Sequence, residues 1–156
     1  MLKQLSKNDV EKINTEIKNA YGKEDFFDKK DQLVIKDFEH ALFILKDKQP
    51  MFFYKEGKPI PTLKSLLTNQ FLKTATVDMG AVKFVSSGAD VMRPGIKELD
   101  HTINKGDIIA IVDEKHKKPL CVAEALFSGE EIFQMKTGRV FKNVHHVGDV
   151  IWKIDS

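Results

Sequence analysis

The stretch from Val77 to Ile96, VDMGAVKFVSSGADVMRPGI, limits the fold of this chain more than any other. Its three glycines, one proline and two apolar clusters force more than one sharp turn in twenty residues, so no single regular element fits it. Asp78 stands two residues ahead of Gly80, where an N-cap belongs, and predicts a short helix over Gly80–Val85 closed by Ser86, Ser87 and Gly88. Gly88 is expected as the left-handed stop. Ala89–Met92 then resumes in extended form, and Pro94-Gly95 turns the chain, because proline presets φ and glycine admits positive φ. The expected unit is strand, short helix, strand, turn.

The flanking sequence supplies ordinary elements. Ser6 and Asp9 have capping-box spacing, and Val10, Ile13, Ile17 and Ala20 fall on one helical face that Gly22 ends. The apolar runs Leu33–Ile35, Ala41–Leu45 and Met51–Tyr54 read as strands of a small meander. Pro59 and Pro61 keep the next residues extended; Thr62 caps a second helix whose apolar face is Leu63, Leu66, Leu67 and Phe71. Further on, Ile108–Val112 and Leu120–Leu126 pair across a charged loop, Ser128–Ile132 starts a helix, and Val140-Phe141 and Val150–Trp152 read as the last strands. A boundary near Lys73 with no Gly/Ser-rich linker predicts domains 1–73 and 74–156, packed rigidly together.

Length and composition, 156 residues with 42% hydrophobic and 31% charged, describe a globular sequence without disorder. Cys121 is the one cysteine and lies in an apolar run, which suits an inert buried thiol and a reducing compartment. No run approaches a membrane span, and no secretory leader is read at the N-terminus, so a cytoplasmic protein is expected. The net charge of +2 hides an asymmetry: residues 1–73 hold 14 lysines against 11 acids, and residues 74–156 hold 11 basic residues against 12 acids. Any attraction to nucleic acid would therefore need local clustering of lysines and arginines, or help from the N-terminal half, in place of a global positive field.

The chemistry-bearing patterns point away from catalysis. There is no phosphate-cradling glycine loop with a following Lys-Ser/Thr, and no nucleophile with a base at a recognisable spacing. His145 and His146 are neighbours on an extended segment, so their side chains diverge and cannot easily grip one ion. No cofactor is expected. Gly80 and Gly88 leave backbone open to close approach, the helix N-terminus offers N–H groups to a phosphate, and Lys83 and Arg93 lie near both. Val82, Phe84, Val85, Val91, Met92 and Trp152 are read as core.

The Val77–Ile96 stretch resembles the signature of the PUA domain, an RNA-binding module, and Gly138–Ile154, GRVFKNVHHVGDVIWKI, resembles its closing strands. Lys105-Gly106-Asp107 followed by Ile108–Val112 fits the internal hairpins of the same module. The first half is similar, more weakly, to the domain preceding PUA in archaeal and eukaryotic relatives of the malignant T-cell-amplified sequence protein and in the N-terminal part of ligatin. The resemblance implies an α+β protein: a small α/β N-terminal domain packed on a C-terminal PUA pseudobarrel. It implies a non-catalytic, translation-linked RNA binder whose partners are tRNA or ribosomal RNA, the small ribosomal subunit or a translation factor, and not a membrane. Its RNA surface would draw on Gly80, Ala81, Lys83, Gly88, Arg93 and Gly95 in the signature stretch, with Lys142, His145 and Lys153 near the chain's end. Two alternatives stand beside it. One is a protein-interaction adaptor using exposed Phe26, Phe27, Phe52, Phe53 and Tyr54; the other is the RNA-binding subunit of a modification enzyme.

Overall fold

The computed structural model describes residues 2–39 and 41–154. They form two compact units, Met1–Ser65 with Ile154–Ser156 and Leu66–Lys153.

In the first unit, helix α1 (Lys7–Tyr21) opens on a reciprocal cap. Ser6 Oγ accepts the Asp9 N–H at 3.1 Å and the Asp9 carboxylate accepts the Ser6 N–H at 3.0 Å, satisfying donors that no helical carbonyl can reach. Gly22, at φ 72°, closes the helix in the left-handed conformation, and Val10, Ile13 and Ile17 are buried. The sheet is an antiparallel meander in chain order: β1 (Leu2–Gln4), β2 (Leu33–Phe38), β3 (Ala41–Lys46), β4 (Gln49–Lys55) and β5 (Lys58–Pro61). The middle three are the strands that the apolar runs predict; β1 and β5 are edges that they do not. All three residues of β1 are exposed, so it has no burial alternation to read. Strand β5 contains Pro59 and Pro61, which an edge tolerates because its outer N–H positions need no partner.

The aromatic residues of this unit pack inward. Phe26, Phe27 and Phe52 form an edge-to-face cluster with ring centroids 4.8, 5.0 and 5.9 Å apart. Phe27, Phe52 and Phe53 are buried, while Phe26 and Tyr54 are half-buried, and the Tyr54 hydroxyl donates to Glu16 at 2.7 Å. Asn14 clamps the loop by donating to the Phe27 carbonyl at 2.8 Å and accepting the Phe27 N–H at 2.9 Å. The exposed aromatic surface on which an adaptor role would rest is therefore absent at these five positions. They serve the core.

Helix α2 (Leu63–Thr68) spans the division between the units; Thr62 Oγ1 accepts the Ser65 N–H at 3.2 Å, as a cap should. The helix stops short of Phe71. The second unit continues with β6 (Thr74–Val77), α3 (Met79–Val85), β7 (Val91–Met92), β8 (Ile96–Leu99), β9 (Ile108–Asp113), β10 (Pro119–Ala125), α4 (Gly129–Gln134) and β11 (Arg139–His146). The strand order is β7-β11-β10-β9-β6-β8, with β6 and β9 parallel and the other pairs antiparallel. A 3-10 turn at Arg93–Gly95 joins the two outermost strands, and the sheet nearly closes into a pseudobarrel. Its core includes Val77, Val85, Val91, Ile109, Ile111 and Phe141. A small α/β unit and a pseudobarrel make up the α+β architecture expected from the sequence.

Two further details differ from expectation. Strand β8 follows directly on Pro94-Gly95, where only a turn was expected. Val150–Trp152 is not a strand: the Trp152 N–H bonds the Asp149 carboxylate at 2.8 Å, which folds these residues into a turn and leaves Trp152 half-buried instead of in the core.

Candidate nucleic-acid interface

Helix α3 is built around Asp78. Its carboxylate accepts the Ala81 N–H at 2.9 Å, and its own N–H donates to the Gly95 carbonyl at 2.9 Å, so the helix start and the 3-10 turn are locked together. At that N–H the Asp78 carboxylate occupies the place expected for a phosphate. Gly95 lies so close that a Cβ there would stand 3.2 Å from the Ala81 methyl group. Ala81, Val82 and Val85 turn to the core. Gly80, Lys83, Phe84 and Ser87, at positions i, i+3, i+4 and i+7, make the opposite, exposed face.

Phe84 is 65% exposed and Met92 50% exposed, which corrects their assignment to the core. A helix of seven residues can bury only one stripe, and Val85 with Val82 fills it. Phe84 is therefore left in water beside Lys83.

The α3–β7 connection is held from β11. Gly88 sits at φ 106°, and a Cβ on it would lie 2.8 Å from His146 Nε2. Asn143 Nδ2 donates to the carbonyls of Val85 and Ala89, each at 2.9 Å. The Asp90 carboxylate accepts the Asn143 N–H at 2.8 Å and an Arg139 N–H at 3.0 Å. Asn143 and Asp90 are functional supports that sequence reasoning missed, because each is meaningful only through a partner some fifty residues away in the chain.

The remaining predicted residues separate. Arg93 is half-buried; its Nε donates to the Ile132 carbonyl at 2.7 Å, so the guanidinium is anchored on α4. Lys142 and Lys153 are exposed, Lys142 standing opposite Glu124 on β10. His145 is 1% exposed, and its Nδ1 pairs with both oxygens of Asp149 at 3.0 and 2.9 Å, which leaves it no surface to offer a ligand. Asp149 also accepts the His146 N–H at 2.9 Å. Burial pushes the Asp149 carboxyl up, but the hydrogen bonds from His145 and from the Trp152 and His146 N–H groups outweigh that and hold it below the ordinary aspartate value. An aspartate four residues after a histidine was the available sequence signal.

On the neighbouring hairpin, Asp113 organises the loop between β9 and β10. Its carboxylate accepts N–H groups from His116 at 2.6 Å, Lys115 at 2.9 Å and Lys118 at 3.3 Å. The His116 bond chiefly holds its pKa below the usual range, against the upward push of burial and with help from Lys118 and Lys115. Burial, with a smaller contribution from the Asp90 charge, raises the Cys121 thiol well above its ordinary value, as suits an inert thiol. Among the described residues, no three His, Cys, Asp or Glu side chains are placed to hold a metal ion, and no helix is long and apolar enough to cross a membrane.

Residues 73–147 match the family model for the PUA domain. The chain is 45% identical to an uncharacterized protein of Methanocaldococcus jannaschii over 95% of this chain and 93% of that one. It is 32% identical to translation machinery-associated protein 20 of Saccharomyces cerevisiae, over 78% of this chain and 76% of the relative. Among solved structures, a hypothetical protein of the hyperthermophilic archaeon Pyrococcus horikoshii superposes with a TM-score of 0.87 at 31% identity, covering 100% of both chains. The candidate surface around α3 thus lies in the part of the chain that matches the PUA domain, and the chain belongs to the family of PUA-domain proteins that includes translation machinery-associated protein 20 and malignant T-cell-amplified sequence 1.

Proposed function

We propose that the protein acts in translation by binding RNA, without catalysing a reaction, and that the RNA is tRNA or small-subunit ribosomal RNA. The observation that carries this is the pairing of exposed Phe84 with exposed Lys83 on one face of α3. An aromatic face on which a base can stack, beside a cation for the phosphate, is the usual solution for unpaired nucleotides. Gly80 leaves the same face open, and Lys142 and Lys153 are exposed for further phosphate contacts. The PUA match and the name of the yeast relative favour RNA and translation over other partners.

The test is a titration of the protein with a tRNA transcript and with a small-subunit ribosomal RNA fragment at several salt concentrations. The salt dependence should correspond to about two to five phosphate contacts, at roughly 0.7 to 0.9 of slope per contact. Phe84→Ala should weaken binding at least about fivefold, the lower end of what one stacked base contributes. Lys83→Ala should reduce the salt slope by about one. Both variants should melt like the parent, since neither side chain is buried. Binding that is flat with salt, or untouched by both substitutions, overturns the reading.

A further inference from the structure

We infer that the loop between β9 and β10 is a second phosphate-binding element that extends the α3 surface, an inference that rests on the RNA-binding reading above. Residues 74–156 carry a net negative charge, so attraction to a polyanion there has to come from a local cluster. The densest such cluster in that half is Lys115-His116-Lys117-Lys118.

The topology puts this cluster beside α3. Strands β6 and β9 run parallel with Val77 opposite Asp113, so α3 leaves β6 at the level where the basic loop leaves β9. Helix α3 also packs against β10, the strand into which the loop leads. Lys117 ties the loop down, its Nζ lying 2.9 Å from Glu98 and 3.3 Å from Thr76 Oγ1. Lys115, His116 and Lys118 stay exposed.

The loop is rigid before any ligand arrives. Besides the three N–H groups bound by the Asp113 carboxylate, the Lys117 N–H reaches the Asp113 carbonyl at 3.1 Å and the Asp113 N–H reaches the Lys118 carbonyl at 3.3 Å. An ordered loop meets its conformational cost during folding, so its lysines give more of their Coulomb attraction to the complex. A backbone tracking from Phe84 across to this loop would pass Lys83 first and then Lys115 and Lys118.

The experiment compares Lys115→Ala/Lys118→Ala with Lys105→Ala/Lys136→Ala, which removes the same charge elsewhere on the unit, and with Lys83→Ala. All are titrated with the same tRNA transcript across a salt series, with thermal melts as a check on folding. The loop variant should bind roughly tenfold more weakly near physiological salt, with a slope lower by about 1.4 to 1.8. The control should change affinity by less than about threefold. If the loop variant binds like wild type while Lys83→Ala does not, the inference is wrong and the α3 reading stands. If the control loses as much as the loop variant, binding follows net charge and the inference is again wrong. If the parent protein does not bind the transcript or the ribosomal fragment at all, the RNA reading itself falls.

Discussion

Asp149→Ala is expected to lower the melting temperature by roughly 10 °C, from a loss of about 3 kcal/mol. One carboxylate accepts from the buried His145 ring and from two backbone N–H groups, those of His146 and Trp152, at 2.8 to 3.0 Å. Alanine removes the acceptor for all of them, and charged hydrogen bonds at a protected site each contribute about 1.5 to 3 kcal/mol net. Asp149→Asn keeps the shape but not the charge and should fall between. The pH dependence has a definite sign. The folded-state pKa of Asp149 lies below the ordinary aspartate value, so its stabilisation is complete above that ordinary value and is lost as pH falls through the folded pKa. The gap in melting temperature between wild type and Asp149→Ala should therefore be widest near neutrality and close in acid. A variant that melts within about 2 °C of the parent at pH 7 would remove Asp149 from its place as the organiser of the C-terminal turn.

Gly88→Val should destabilise by about 2 to 4 kcal/mol, from two separable causes. The backbone is at φ 106°, where a side chain with a Cβ is strained and a β-branched one more so. The Cβ would also stand 2.8 Å from His146 Nε2, a contact that forces the imidazole aside. A double-mutant cycle of Gly88→Ala with His146→Ala separates them, because the second substitution relieves the contact and leaves the backbone strain. Thermal melts on the four proteins are sufficient. Full additivity would mean that the contact with His146 contributes nothing. Because Gly88 links α3 to β7, RNA affinity in Gly88→Val should fall together with the folded fraction, unlike the binding-only loss expected for Lys83→Ala.

Much of this was legible in the residues. The Ser6/Asp9 cap, the Gly22 stop, the Asp78 cap and the positive φ of Gly88 are local devices, and a local device can be read from a few neighbouring letters. The three central strands of the first unit announced themselves as apolar runs for the same reason. Failures fell where the outcome depends on what stands across the fold. Phe84 and Met92 are as apolar as Val82 and Val91; the narrow stripe that α3 can bury decides between the first pair on the helix, and the two faces of β7 decide between Val91 and Met92. His145 was expected at the RNA surface only through the resemblance, which does not say which face of the strand it occupies; it is buried against Asp149. Val150–Trp152 has the composition of a strand but is captured by that same carboxylate into a turn. The site was legible as a stretch of chain and only partly as a set of side chains.

The seam between β7 and β11 has a consequence for the order in which the second unit assembles. Strands β9 and β10 meet across a short loop, whereas β7 must find β11 from far along the chain, the Asn143 N–H bonding Asp90 across 53 residues. Closing so long a loop costs entropy before any contact rewards it, so sequence-distant pairings come late. Pulse-labelled hydrogen exchange during refolding should find the β9 and β10 amides protected first and those of Val91 and Asn143 last; simultaneous protection would contradict this. Since Asn143 is also what fastens the α3–β7 connection, a nascent chain would display Lys83 and Phe84 in their final arrangement only once β11 had been made. Recognition by this protein would then be withheld from copies that lack β11 by the topology itself.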